Sequence, residues 1–422
     1  MRSFAFRVAS FAASGALACL LIATTALRLL AQAPAQNTPP PGQLPLPSAP
    51  PPVPQASKHG TVERIKVHGQ SLEGNLEGDS PDRDVSVYLP PSYATDRHRR
   101  YPVIYLLHGY MDNDINWFGA HHIFVNAPGV LDAVFSDCSA REMIVVMPSA
   151  YTVYYGSMYS NSVATGDWED FIARDLVSYV DAHYRTIPNR MSRGLGGHSM
   201  GGYGTIRLGM KFPDVFSSLY AMSACCLAPN ASFDTPAMAK AQTVKSAADL
   251  AQLDFPTRAA VASAAAWSTD PTKSPLYYDL PLSDGKVKPL IAAQWDANAP
   301  LAMVPQYVSS LKQYHAIALD VGTKDSLMAS IQDLDSRPTL LGIAHTFETC
   351  SGTHINGIQM RLEKTFSRFS PKIFHSSPPN ADGPQLGGVR AVEPCALRRL
   401  SLEIRTIDRR KNRVHPRPLG RK

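Results

Sequence analysis

Apolar residues recur along this chain with two different periods, and the segments that carry them alternate. Val85, Val87 and Leu89 alternate with polar neighbours, which predicts a strand over Asp84 to Leu89 with one covered face. Thr61 to Val67 predicts another before it. Tyr101 to Leu107 (YPVIYLL) and Met143 to Met147 are continuous β-rich runs, the pattern of strands covered on both faces. From Asp167 to Tyr184, the residues Trp168, Phe171, Ile172, Leu176, Tyr179 and Val180 fall at helical spacing, with Asp167 as candidate N-cap. A short run around Leu195 leads into a helix-like segment ending near Phe212, and Phe216 to Met222 predicts the next strand. Val304 to Tyr314 predicts a helix, His315 to Val321 and Ala344 to Glu348 the last two strands, and Gln359 to Phe369 a closing helix.

Strands that alternate with helices build βαβ units, so the expected class is α/β with a mostly parallel central sheet. Helices should cover both faces, and the two leading strands should form an antiparallel N-terminal edge. Residues 227–286 break the rhythm. They are rich in Ala, Pro, Asp and Thr, with a helix-prone stretch from Ala259 to Ala266. They read as a cap insertion over the C-terminal edge of the sheet, where α/β proteins keep their sites. Leu290 to Ala293 reads either as a short strand or as part of that insertion.

Composition changes the picture mainly at the ends. The chain has 422 residues, 44% of them apolar, enough for a sizeable core. Its net charge of +6 is uneven: residues 1–56 carry +3 and residues 375–422 carry +7, which leaves −4 for 57–374. The basic balance thus belongs to the termini, and the central part carries no nucleic-acid signature. Arg2 and Arg7 precede an apolar stretch from Val8 to Leu27, and small-residue sites follow at Ala31-Gln32-Ala33 and Ala33-Pro34-Ala35. That is the pattern of an export signal over residues 1–33, with an uncleaved anchor as the alternative. It makes the expected location periplasmic or secreted, with no stable membrane span once the signal is removed. Residues 34–56 form a linker with ten prolines between 34 and 54, and the tail over 375–422 reads as disordered. The expected folded domain is therefore 57–374.

Six cysteines, Cys19, Cys138, Cys225, Cys226, Cys350 and Cys395, show no CxxC spacing, so no zinc site is expected. The adjacent Cys225 and Cys226 would point to opposite sides of an extended chain, one free to pair while the other packs.

The candidate chemistry centres on Gly197-His198-Ser199-Met200-Gly201, which follows a short apolar run and opens a helix. Gly-x-Ser-x-Gly at that junction is the pattern of a nucleophile elbow. A serine hydroxyl needs a histidine to take its proton and a carboxylate to hold that histidine. In this strand order the acid belongs on the loop after a late strand and the base on the loop after the last. Asp325 lies on the first loop and His354 on the second. Asp320 is the rival acid, but it precedes the turn glycine Gly322. Asp325 could also cap the helix that follows. His345 sits inside the expected strand and His108 at a strand end, so both read as structural. The backbone N–H of Met200 is the first candidate oxyanion donor, and that of Tyr110, on the loop after the third strand, is the second. Trp117, Tyr154 and Tyr155, with Tyr151 and Tyr159 nearby, lie on loops on the same side and are either candidate substrate contacts or residues that pack the insertion onto the sheet.

The segments YPVIYLLHGY (101–110), GLGGHSMGGYGTIRLGMKFPDVF (194–216), LDVGTKD (319–325) and GTHINGIQMRLE (352–363) resemble the esterase D, or putative esterase, group of α/β-hydrolases. That group includes feruloyl and acetyl-xylan esterases, enterochelin esterases, S-formylglutathione hydrolases and secreted mycolyltransferases. The resemblance covers roughly residues 60–374. It implies an α/β-hydrolase fold, Ser199 as nucleophile, Asp325 as acid, His354 as base, Tyr110 and Met200 as oxyanion donors, and no metal or organic cofactor. Cys350 departs from the family pattern just before Ser351-Gly352-Thr353, where a polar or acidic residue is expected, and the basic tail lies outside that pattern. The implied substrate is a small-molecule or polysaccharide ester. Acyl transfer to a sugar hydroxyl uses the same triad, and a binding protein on this fold would show a broken one.

Overall fold

The structure is a computed structural model that describes residues 55–119, 125–230, 233 and 235–373, with side chains up to residue 366. The export segment, the linker up to residue 54 and the basic tail lie outside the described residues. One sheet of eight strands organises the rest: β1 (Thr61–His68), β2 (Asp82–Leu89), β3 (Val103–Leu107), β4 (Ile144–Pro148), β5 (Arg193–His198), β6 (Ser218–Met222), β7 (Ala316–Gly322) and β8 (Thr346–Cys350). Their spatial order is β1-β2-β4-β3-β5-β6-β7-β8. β1 and β2 are antiparallel to each other, β2 is antiparallel to β4, and the remaining neighbours are parallel. This is the expected mostly parallel sheet with an antiparallel N-terminal edge.

The continuous apolar runs have two faces to cover. Val103, Tyr105 and Leu107 of β3 join one core, with Ile144 and Val146 of β4. Ile104, Leu106, Val145 and Met147 join the other. The first core is closed by a helical segment α2, which runs through Trp168–Asp170, a wider π-turn at Phe171–Leu176 and Val177–His183. It is also closed by α3 (Met200–Lys211) and α5 (Met328–Leu340). The second core is closed by α1 (Ala127–Ser136) and α6 (Ile358–Ile373), through Val130, Leu131, Val134, Ile358, Leu362 and Phe366.

Three elements differ from the sequence reading. Helix α1 was not expected, because Pro128-Gly129 resembles a turn. Pro128 instead sits in the first turn, where no amide donor is needed, and the Asn126 side chain accepts from the Gly129 N–H at 2.9 Å. Leu290 to Ala293 is no strand: it lies inside the helix Pro289–Ala297, again started by a proline. Val304 to Tyr314 is not one helix but a 3-10 turn, Val304–Gln306, and a short helix, Val308–Leu311; Pro305 supplies no amide there. The insertion is also longer than 227–286, since sheet pairing resumes only at Ala316. It contains α4 (Phe255–Trp267), and it docks on the loops after β3 and β4. Ser162 Oγ donates to the Ala265 carbonyl at 2.6 Å, and the Tyr110 ring meets Phe255 edge-on at 5.6 Å.

Candidate active site

The parallel strands bring their C-terminal ends to one edge. Leu107 of β3 pairs with Gly197 of β5, His198 with Met222 of β6, and Gly322 of β7 with Cys350 of β8. Ser199 stands between β5 and α3 at φ 58° and ψ −115°, a conformation costly for any residue with a side chain. It persists because the surroundings fix it. Its N–H donates to the Met222 carbonyl at 2.9 Å, and its carbonyl accepts from Tyr203 at 3.0 Å and from Cys225 at 3.2 Å. The flanking glycines are required by contact. A Cβ on Gly197 would lie 2.4 Å from the Gly201 oxygen, and one on Gly201 would lie 2.0 Å from the Leu107 oxygen.

The loops after β7 and β8 are tied together by backbone hydrogen bonds, Thr323 N–H to Cys350 and Lys324 N–H to Gly352, both 2.8 Å. This brings Asp325 and His354 to the elbow. Ser199 Oγ lies 2.9 Å from His354 Nε2, and His354 Nδ1 lies 3.0 Å from Asp325 Oδ2. A carboxylate can only accept, so Nδ1–H donates to Asp325 and Nε2 is left to accept from the serine hydroxyl. Burial opposes the charge on Asp325. Hydrogen bonds from His354, the Leu327 amide and the Ser223 hydroxyl outweigh it and hold the carboxyl down at about 2. The Leu327 N–H donates to Asp325 Oδ1 at 2.9 Å, so Asp325 also steadies the turn into α5.

Asp320, the rival acid, faces elsewhere. It is buried and ion-paired with Arg361 of α6, whose Nε lies 3.0 Å from both of its oxygens, and Tyr220 donates to it. Arg361 Nη2 also donates to Ser223 Oγ at 3.0 Å. The Asp320 side chain is thus linked toward Asp325 through Arg361 and Ser223, and its carbonyl accepts from the Ser223 N–H at 2.9 Å. No local pattern marks Arg361, Ser223 or His198 as supports. His198 is buried, and its Nε2–H donates to the His354 carbonyl at 2.8 Å, which braces the loop that carries His354. Burial, with His354 beside it, holds the His198 imidazole well below its usual value and so neutral. His108 is structural: its Nδ1–H donates to the Gly109 carbonyl and its Nε2 accepts from the Ala150 N–H, both at 2.8 Å. His345 ties to Asp335 at 2.9 Å, away from the elbow.

Among the described residues, no hydrogen bond to a protein acceptor engages the N–H groups of Tyr110 and Met200. A Cβ on Gly109 would touch Ser199 Cβ at 3.4 Å, so the loop that carries Tyr110 lies against the serine.

The aromatic candidates divide. Trp117 is fully buried and donates its indole N–H to Asp112 at 2.7 Å. Tyr154 is buried too, its hydroxyl donating to the Leu276 carbonyl of the insertion at 2.8 Å. These two rings are buried in packing, the second of the two readings the sequence left open for them. Tyr155 remains half-buried, edge-on to Tyr151 at 5.6 Å and under the Arg258 guanidinium at 5.1 Å. Cys350 is buried at the end of β8, with its thiol toward the Val321 carbonyl. Cys225 and Cys226 do not point apart: their sulfurs are 2.8 Å from each other. Among the described residues, no cluster of three or more His, Cys, Asp or Glu side chains is placed to hold a metal ion.

Comparisons with known proteins extend this picture. A family model described as "Putative esterase" matches residues 80–342. An esterase of Mycobacterium tuberculosis is 32% identical over 136 residues, which are 32% of this chain and 27% of that protein. An endo-1,4-beta-xylanase/feruloyl esterase of Xylanibacter ruminicola is 25% identical over 161 residues, 37% of this chain and 21% of that protein. The match thus spans 27% or less of the length of these relatives. Among solved structures, a ferulic acid esterase superposes with a TM-score of 0.53 at 21% identity, over 74% of this chain and 98% of its own. A fluorophosphonate-binding serine hydrolase of Staphylococcus aureus does so with a TM-score of 0.50 at 17% identity, over 74% and 99%. At these identities the likeness to solved structures concerns the α/β-hydrolase fold.

Proposed function

The chain belongs to the putative esterase family, and from that premise we propose that it is a serine carboxylesterase with Ser199 as nucleophile, His354 as base and Asp325 as acid. One observation carries the reading: Ser199 Oγ, His354 and Asp325 form a continuous hydrogen-bond relay of 2.9 and 3.0 Å across three loop ends. In the first step His354 Nε2 takes the hydroxyl proton as Ser199 Oγ attacks the ester carbonyl. The Asp325 carboxylate stabilises the imidazolium by accepting its Nδ1–H. The carbonyl oxygen becomes an oxyanion, and the N–H groups of Met200 and Tyr110 are its donors, each worth about 3 kcal/mol. The intermediate collapses, His354 protonates the leaving alcohol, and an acyl-enzyme remains. Water, deprotonated by His354, then releases the acid and restores Ser199.

The substrate class proposed is an ester of an aromatic or short acyl group outside the cytoplasm. The half-buried Tyr151–Tyr155 pair supports the aromatic preference. The N-terminal pattern supports export, and no helix among the described residues is long and apolar enough to cross a membrane. The folded unit that does this work is proposed to be 57–374. The test is hydrolysis of p-nitrophenyl acetate, a feruloyl ester and acetylated xylan, with and without a sugar acceptor. Ser199→Ala should abolish turnover on all of them. Undiminished hydrolysis in that variant sinks the assignment.

A further inference from the structure

Cys225 and Cys226 follow β6 after Ser223 and Ala224, on the loop that supports the elbow from below. A Cβ on Gly202, in the first turn of α3, would lie 2.9 Å from Ala224 Cα. Cys226 has φ 59°, in the left-handed region, and the two sulfurs lie 2.8 Å apart. Both are free thiols; both residues are partly exposed, while the Cys225 sulfur itself is buried. Cys225 also touches the nucleophile directly: its N–H donates to the Ser199 carbonyl at 3.2 Å.

We propose that Cys225 and Cys226 form a reversible redox modification site for oxidising disulfides, and that closing the pair into a vicinal disulfide disarms Ser199. The reaction balances with a small-molecule disulfide RSSR as oxidant. One thiolate of the pair attacks a sulfur of RSSR, forms a mixed disulfide and expels RS⁻. The second cysteine, as thiolate, attacks the protein sulfur of that mixed disulfide, forms the Cys225–Cys226 bond and expels the second RS⁻. Two thiols and one disulfide become the closed pair and two RSH.

Two physical arguments support reversibility and effect. Consecutive Cα atoms stand about 3.8 Å apart across a trans peptide, whereas an ordinary disulfide spans about 4.4–6.8 Å. The closed ring is therefore strained, and strained disulfides are oxidising and easily reduced again. Closure also twists the Cys225–Cys226 peptide. That movement draws the Cys225 N–H away from Ser199, whose unusual backbone depends on its few hydrogen bonds. The neighbouring thiol and burial hold the Cys225 thiol protonated, so the exchange quickens as pH rises.

The functional half of this inference rests on Ser199 as nucleophile, so the two readouts are kept separate. The whole chain is treated with limiting 4,4′-dithiodipyridine, and the peptide holding both cysteines is weighed. The expected result is two thiopyridones released per closed pair and a peptide lighter by two hydrogens. Hydrolysis of p-nitrophenyl acetate falls about tenfold, the scale of one buried hydrogen bond misplaced, and dithiothreitol restores it. Cys226→Ala and Cys226→Ser keep the starting activity and never show the two-hydrogen loss. A closed pair with full Ser199-dependent hydrolysis overturns the proposal, as do pyridyl adducts retained in place of closure. Reversible inactivation of both Cys226 variants without an adduct on Cys225 overturns it too, by placing the effect elsewhere. Ser199→Ala run alongside reports on the nucleophile itself: residual hydrolysis there refutes the function, not the dithiol chemistry.

Discussion

Replacing Gly201 by alanine adds a single methyl group at the tightest point of the elbow. That methyl carbon would lie 2.0 Å from the Leu107 carbonyl oxygen, 2.5 Å from its carbon and 2.9 Å from the His108 oxygen. Approaches under 3.0 Å are ones that real Cβ atoms essentially never make, so α3 and the end of β3 must separate by about 1.0 Å or more. None of these contacts is a flexible side-chain end; all are backbone of the segment that leads into Tyr110. The strain therefore falls on the spacing between the Met200 and Tyr110 amides and on the pose of Ser199. A misplacement of about 1 Å in a catalytic arrangement costs about 100-fold, close to 2.7 kcal/mol of barrier. Overpacking of this kind lowers stability by about 1–3 kcal/mol. The assay is steady-state hydrolysis of p-nitrophenyl acetate by Gly201→Ala, with kcat and KM resolved, alongside thermal unfolding. The expected loss lies mainly in kcat, in protein that is still folded at the assay temperature. Wild-type kcat/KM in a variant with an unchanged unfolding curve would refute the claim that the elbow sets the oxyanion geometry.

The other predictions concern the residues around the relay. Asp325→Asn should lower kcat by about 10⁴ by reversing the His354 tautomer, with the fold retained. Arg361→Met strands the buried Asp320 charge and should cost about 3–5 kcal/mol of stability, read by denaturant unfolding. If instead Asp320→Asn abolishes turnover and Asp325→Asn does not, the acid is misassigned. Tyr154→Phe leaves the Leu276 carbonyl without its donor and should destabilise by about 1–3 kcal/mol, with KM unchanged on aromatic esters. Burial, with Asp79 beside it, pushes the Glu77 carboxyl up to about 10. The folded state thus holds a proton there that the unfolded chain releases near its ordinary value, so the wild type loses stability as pH rises above that value. The melting temperature of Glu77→Gln relative to wild type should climb between pH 5 and pH 8, and a constant difference contradicts the burial argument.

Local pattern was enough for the sheet because each inner strand is covered on both faces and reads as an unbroken apolar run. It failed where a proline starts a helix, at Ala127–Ser136 and Pro289–Ala297, since proline and glycine resemble turns when the cap cannot be seen. The meeting of Ser199, Asp325 and His354 was legible because strand order places the three loops that carry them at one edge. Whether Trp117 and Tyr154 line a cleft or pack was not legible, because their burial depends on how the insertion docks and no local spacing encodes that. The same holds for supports that act across the sequence. Arg361 lies 41 residues from Asp320, and His198 lies 156 from His354. The Cys225–Cys226 contact escaped notice for a different reason. It requires a left-handed residue at Cys226, and no residue preference announces that.

The most direct test of the account is the site at which an alkyl fluorophosphonate reacts. The serine oxygen displaces fluoride and leaves a stable phosphonyl adduct, so the nucleophile is read by mass without choosing a substrate. The account predicts one adduct per chain, on the peptide containing Ser199, with hydrolysis lost in proportion and no adduct in Ser199→Ala. An adduct on any other residue, or complete inhibition with Ser199 unmodified, contradicts it.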